Sequence, residues 1–549
     1  MILQRCGLDA FFFLRYFQTL CKIFTSLLLI VVPSLVPLNS LGGNDAFGEV
    51  QGLDRLSWVN IRSNNTRFYW AHLVMALFVI AFVCHTIYEE LLFYIEIRNC
   101  YLTSPGHRLL ESASTVLVMD IPENELSALQ DLYSMFPGGV RCVWINRDFS
   151  VLSRKIQERE KYVIALEAAE TRLIKSATTS FLQRRNRKSA LPERLSTKCE
   201  RPLWERYLEE NDRDHQYLPI YGWSWMSAIP FIGRRVDTIR YCLRELTRLN
   251  EEIEADQKEL IEIDSTGGNS DKYPRMRSAF VRFNSQVAAH MACQTTLSSR
   301  PLHLSAGHVD VSVREVRWTC LSQPWWKRYA RTGFVWIVAL SLLVLWAIPV
   351  AFTGFLSQIT SLADAVPGLH WINSAPAWLT GIVQGVLPQL ALAVLTVLLP
   401  QVLRVVTGWQ GLLTETAVEL SLQKYYFTFL FVLNFLTVSL ASSITAIAQD
   451  LLHGLDSAPR LVAKNLPKAS NYFFSYLILQ GLSVSAGVLL QAGGLVQWLI
   501  FAPLTDRTPR QKWERRMNLP QLQWGTCFPH YTNLACIGKS LILLLPNLY

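Results

Sequence analysis

Read from end to end, the chain alternates long apolar runs with one broad polar region. Apolar stretches stand near residues 11–36, 69–95, 332–358, 380–403, 425–449 and 469–504, and another begins near Tyr531 with Lys539 inside it. From Ala469 to Thr505 there is no charged residue. A helix in a soluble domain needs one apolar face, whereas a bilayer crossing needs about 20 mostly apolar residues in succession. The pattern predicts an α-helical polytopic membrane protein. The first stretch is longer than a signal-peptide core and lacks a small-residue cleavage site, so a retained helix is expected.

Residues 98–330 change period. "STVLVMDIP" (114–122) and "GVRCVWINRD" (139–148) read as strands around the helical run "ENELSALQDLYSMF". "SAFVRF", a helix through Ala292 and the strand "HVDVSVREV" (308–316) repeat that order after a long insert. This predicts an α+β domain of split βαβ, RNA-recognition-like topology. In the insert, Leu152, Ile156, Val163, Leu166 and Leu173 share one helical face, and Val236, Ile239, Leu243, Leu246 and Ile253 keep the same spacing. The two helices are expected to pack as an antiparallel arm. Three regions follow: 1–97 with two spans, 98–330 as the cytosolic domain, and 331–549 with four full spans and a partial fifth.

Charge sets the orientation. The charged fraction is 17%, below the roughly 25% usual for soluble domains. The net charge of +9 reads as cationic cytoplasmic flanks rather than a nucleic-acid footprint. The loop "TDRTPRQKWERRMN" holds five Lys or Arg against two acids, whereas 359–379 carries only Asp364. Alternation then places the N-terminus and residues 98–330 in the cytoplasm and 37–68 outside. The loop 452–468, with Arg460, Lys464 and Lys468, dissents. Asn64 opens an outside "NNT" glycosylation sequon. The eleven cysteines show neither zinc spacing nor a disulfide framework, and no P-loop, GxSxG or HExxH motif is present. No cofactor and no enzyme activity are expected.

RNA-recognition domains stack bases on aromatics of their two central strands. Ala279, Phe280, Val281 and Phe283 match the second half of that strand motif. Met276, Arg277 and Ser278 replace its first half, and Leu117 stands where the first strand needs an aromatic. The domain is therefore expected to act as a frame, with no nucleic-acid partner.

Several stretches carry a family resemblance: "GLDAFFFLRYF", "LEAAETRLIK", "PFIGRRVDTIRYCLREL", "SAFVRFNSQVAAHMACQ", "WAIPVAF", "NYFFSYLILQGLSVSAGVLLQ" and "TPRQKWERRMNLPQLQWGTCFPHYTN". In this order they resemble the calcium-permeable stress-gated cation channels, the OSCA/TMEM63 family, and most closely its fungal members. The resemblance implies an anoctamin-like bundle, a homodimer with one pore per subunit, and a pore built from the third to seventh family spans. It also implies passage of cations including calcium, gated by osmotic or mechanical stress, in the plasma membrane or an endomembrane. Against the family pattern, the span before "GLDA" is missing and the chain ends inside the seventh family span. A chain truncated at both ends is expected, with a non-conducting fragment as one alternative and a lipid scramblase as another.

Polar groups inside apolar spans are costly and commonly face a partner helix or a water-filled path. Candidate pore-lining residues are Gln384, Gln389, Asn434, Thr437, Ser442, Asn471, Tyr476, Gln480, Ser483 and Gln491. Interhelical hydrogen bonds, worth about 0.6 kcal/mol each, are the blander use for them. Glu415, Glu419 and Lys424 are candidates for a pore mouth, and Gly481 and Gly487 for a gating hinge. Trp325, Trp326, Lys327 and Arg328 have the composition of a membrane-interface anchor. The aromatic stretch 217–233 is expected to touch the membrane or its helices.

Overall fold

The computed structural model describes residues 2–41, 66–187 except 123, 124 and 127, 213–218, 234–300 except 267 and 269, 303–349 except 347, 394–436 except 396, 470–518 and 523–544. The protein divides into two compact units. One comprises residues 1–144, 277–485 and 522–549, and the other 145–276 and 486–521.

In the first unit, α1 (Ile2–Leu41) and α2 (Thr66–Leu102) are long and apolar enough to cross a membrane. Ile23, Leu27, Val31 and Leu35 recur every four residues, which lines them along one face of α1, and they bury against Val79 and Val83 of α2. The helices run antiparallel. Arg15 donates twice to Glu90 at 2.9 and 3.0 Å toward one end, and Asn39 meets His72 at 2.8 Å toward the other. Away from the shared seam, Leu77 and Leu92 remain more than half exposed, as a lipid-facing surface requires.

After α2 this unit continues with the short α3 (Pro105–Arg108) and β1 (Thr115–Met119). α4 (Leu129–Tyr133) and β2 (Val140–Arg147) follow. The second unit supplies α5 (Ser150–Arg187), β3 (His215–Leu218), β4 (Arg234–Asp237) and α6 (Thr238–Thr266). The chain then returns through β5 (Arg275–Phe283), α7 (Gln286–Gln294) and β6 (Ser305–Val309). The sheet order is β2-β5-β1-β6, and β1 pairs antiparallel with both neighbours, with Leu117 opposite Phe280. Ser285 caps α7 by accepting from the Ala288 amide, which lays Ala288, Ala289 and Ala292 into the core.

Two elements differ from expectation. The fourth sheet strand ends at Val309 and does not continue to Val316. Asp310 adopts φ 62, which stops the strand, and its carboxylate accepts from Ser112 at 2.6 Å and meets His107 Nε2 at 2.8 Å. Val316 pairs instead with Thr414. The helix expected over 123–136 is short because the turns Glu125 N to Pro122 O and Ala128 N to Glu125 O precede it.

In the second unit, α5 and α6 form the expected antiparallel arm. Lys155 reaches Asp256 at 2.8 Å, and the Tyr162 and Tyr241 rings lie 6.0 Å apart. The buried stripe of α6 runs through Cys242, Leu249, Ile253 and Asp256, while Leu243 is half exposed. Of the expected face Ile253 is kept, Cys242 and Leu249 take the place of Leu243, and Val236 lies in β4 before the helix begins. Asp256 joins the stripe with Lys155 and Lys272 as partners.

Candidate functional site

α8 (Trp325–Leu345), also long and apolar enough to cross, and the apolar α9 (Val397–Gly408) meet α10 (Glu415–Leu430). Leu399 and Leu403 pack on Leu422, Tyr426 and Phe429, and Val335 packs on Val406 and Tyr425. Gly411, at φ 74, makes the turn between α9 and α10 that most side chains would strain. The buried Gln410 donates to the Tyr425 hydroxyl at 2.7 Å. Beyond Leu430 the backbone widens into a π-helical segment, Phe431–Leu436, which contains Asn434.

α12 (Pro509–Met517) is short and charged, and α13, the last helix described (Trp524–Leu544), starts earlier than the apolar run near Tyr531 and carries Pro529. It lies parallel to α1: Phe13 meets Trp524 and Phe528, Tyr16 bonds Thr532 at 2.8 Å, and Phe24 sits against Gly538. Both helices therefore begin at the same end of the pair.

Every carboxylate expected at the pore mouth faces an arginine. Glu419 accepts from Arg404 Nε at 2.9 Å and from the Gly525 amide at 3.2 Å, so one side chain joins α9, α10 and α13. Glu415 lies 3.3 Å from Arg317 Nε, whose Nη1 donates to Gly408 O at 3.1 Å. Lys424 is exposed. On α11 (Ser470–Leu490), Tyr476 and Gln480 are half-buried and Ser483 is exposed, at spacings that share one face. Gln491 is exposed and breaks the helix with φ 46 and ψ 42, whereas Gly481 and Gly487 lie in uninterrupted helix. A Cβ at either glycine would meet nothing within 4 Å. The side chains of Asn434 and Asn471, residues Gln384, Gln389, Thr437, Ser442 and Asn64, and the stretch 219–233 lie outside the described residues.

At the start of α8, Trp325 and Trp326 are exposed and Lys327 stands 5.4 Å over the Trp326 ring. Arg328 turns to Asp120 instead, Nη2 to Oδ2 at 2.6 Å. Burial pushes the Asp120 carboxyl up from its ordinary value, with Arg328 opposing. On the sheet, Leu117 and Ser278 are fully buried and the Phe280 ring lies 6.0 Å from Trp318, so these positions are covered by protein.

The sequence reading missed Asp120, Arg317 and Arg404, all isolated charges without a motif. It also missed His530 and Asn533 on α13, whose Nε2 and Oδ1 are buried without a hydrogen-bond partner among the described residues. Their only signal was two polar residues three apart on a largely apolar helix.

Three family models match in succession. Residues 1–90 match "Late exocytosis, associated with Golgi transport", residues 113–319 match "Cytosolic domain of 10TM putative phosphate transporter", and residues 331–546 match "Calcium-dependent channel, 7TM region, putative phosphate". The chain is 34% identical to "Uncharacterized protein RSN1" of Saccharomyces cerevisiae, over 99% of this chain and 54% of that protein. It is 28% identical to "Phosphate metabolism protein 7" of the same yeast, over 100% of this chain and 53% of that protein. It is 24% identical to "Hyperosmolality-gated Ca2+ permeable channel 1.3" of Arabidopsis thaliana, over 98% of this chain and 64% of that protein. The chain spans about half the length of the yeast relatives. With both membrane regions and the cytosolic domain matched in order, this multi-pass membrane protein belongs to the OSCA/TMEM63 family, alongside its fungal members.

Proposed function

We propose that the chain is a subunit of a calcium-permeable cation channel gated by osmotic or mechanical stress. The observation that carries this reading is the alignment of 98% of the chain with a plant protein named as a hyperosmolality-gated, calcium-permeable channel. The π-helical segment at Asn434 supports it, since such local widenings gather at functional sites. In this reading Asn434, Thr437 and Ser442 line a cation path with Gln384, Gln389, Asn471, Tyr476, Gln480, Ser483 and Gln491. Glu415, Glu419 and Lys424 stand at its cytoplasmic mouth, and Gly481 or Gly487 bends at the gate. The cytosolic region 98–330 is an RNA-recognition-like frame, a reading its strand order supports. Two copies assemble, each with its own pore, in the plasma membrane.

Patch-clamp recording of cells expressing the chain tests this. Stretch or hyperosmotic solution should evoke a cation current with calcium permeability; no current above untransfected cells would sink the reading. The exposure of Ser483 and Gln491 also favours a second reading, a scramblase whose polar groove opens to lipid. Flipping of fluorescent lipid in liposomes without stretch-evoked current would select it.

A further inference from the structure

A cavity of about 330 Å3 opens between the linker before α8, the end of α9 and the start of α10. Arg317, Arg404, Gly408, Trp409 and Glu415 wall it. The volume falls in the range of about 300–1,000 Å3 common for small-molecule sites. Its place follows from α9, where Val397, Val405 and Trp409 are each more than half exposed. An exposed apolar helix surface that ends in an indole beside arginines matches the boundary between acyl chains and headgroups.

The charges select the ligand. Arg404 spends its guanidinium on Glu419, Gln401 and Gln523. Arg317 uses Nε and Nη1 and keeps Nη2 without a partner among the described residues. Glu415 faces the same space, with its side chain 60% exposed. Arginine and glutamate balance, so a phosphate alone would enter against Glu415 and an ammonium alone against Arg317. A headgroup carrying both charges satisfies both walls, and the Trp409 face adds a cation–π surface for the ammonium.

We propose that this cavity binds the headgroup of a zwitterionic phospholipid, its phosphate on Arg317 and its ammonium between Glu415 and Trp409. The inference rests on the membrane placement of α9, not on conduction. Lipid held there grips both the linker into α8 and the first turn of α10, and so links leaflet composition to the base of the bundle.

The test is native mass spectrometry of the purified full chain, with phosphatidylethanolamine, phosphatidylglycerol and diacylglycerol of identical acyl chains. Phosphatidylethanolamine should be retained about tenfold over either competitor, the loss expected for one charge-assisted contact. Arg317→Gln should abolish that preference, and Glu415→Gln should shift it toward phosphatidylglycerol by removing the repelling carboxylate. Equal retention of diacylglycerol would overturn the site, as would displacement by millimolar inorganic phosphate, which marks a plain anion site. Should Arg317→Gln not yield folded protein, Trp409→Leu takes its place, and an unchanged preference there overturns the proposal. Stretch-evoked current measured in parallel keeps failure of this site distinct from failure of the channel reading.

Discussion

Arg328 Nη2 and Asp120 Oδ2 lie 2.6 Å apart, joining the first turn of α8 to the end of β1. The Asp120 side chain is 9% exposed and its backbone sits at φ 54, so the strand ends where the carboxylate must turn to the helix. The apolar helix α8 and the four-stranded sheet thus share one ion pair.

Arg328→Gln should destabilise the protein by about 1–3 kcal/mol, because it leaves a buried carboxylate without its partner. Adding Asp120→Asn should recover part of that loss. Thermal unfolding of the two single variants and the double variant in detergent measures the coupling. Strictly additive losses would mean that the pair contributes nothing.

Glu415 and Glu419 should behave differently despite their shared chemistry. Glu415 is largely exposed and holds one contact at 3.3 Å, so Glu415→Gln is expected to change stability by less than about 0.5 kcal/mol. Glu419 joins three helices and is 30% exposed, so Glu419→Gln should cost about 1–2 kcal/mol and lower the yield of folded protein. Expression and melting of each variant check this. Only Glu415→Gln suits a clean conductance measurement.

The glycines separate packing from hinging. An added Cβ at Gly525 would lie 2.6 Å from Glu419 Oε2 and 2.8 Å from the Glu419 carbonyl, so Gly525→Ala should destabilise by about 1–3 kcal/mol. Gly481→Ala and Gly487→Ala meet open space and should stiffen α11 by about 0.5–1 kcal/mol each. If either glycine bends at the gate, its alanine variant will raise the tension needed for current while melting no lower than the parent. Unchanged gating in both rejects the hinge and leaves Gln491, where the helix is already broken, as the flexible point.

The helical arm should loosen in acid over a defined window. Burial alone would push the Asp256 carboxyl up, but hydrogen bonds from Lys155 and Lys272 outweigh it and hold the group down at about 2. A depressed carboxylate contributes stability above its unfolded value near 4, and that contribution is lost as pH falls toward about 2. The loss is on the order of 1 kcal/mol, discounted for solvent near both lysines. Hydrogen exchange of α5 and α6 should accelerate between pH 4 and pH 2, and Asp256→Asn should remove most of that dependence.

By itself, the sequence determined the membrane class and the helical arm, because these rest on local period and composition. The uncharged run 469–505 needs no fold to be read, and neither does the exchange of stacking aromatics for Leu117 and Ser278. Tertiary structure decided what the isolated charges do. Arg328, expected at the membrane interface, is paired with Asp120, more than 200 residues away in sequence, only by the fold. Glu419, expected at a pore mouth, gains its partners Arg404 and the Gly525 amide only through packing. Local period cannot encode such pairs, since each depends on the packing of elements distant in the chain. Along the sixth apolar run the sequence points to Gly481 or Gly487 as the hinge, whereas the backbone interrupts the helix at Gln491.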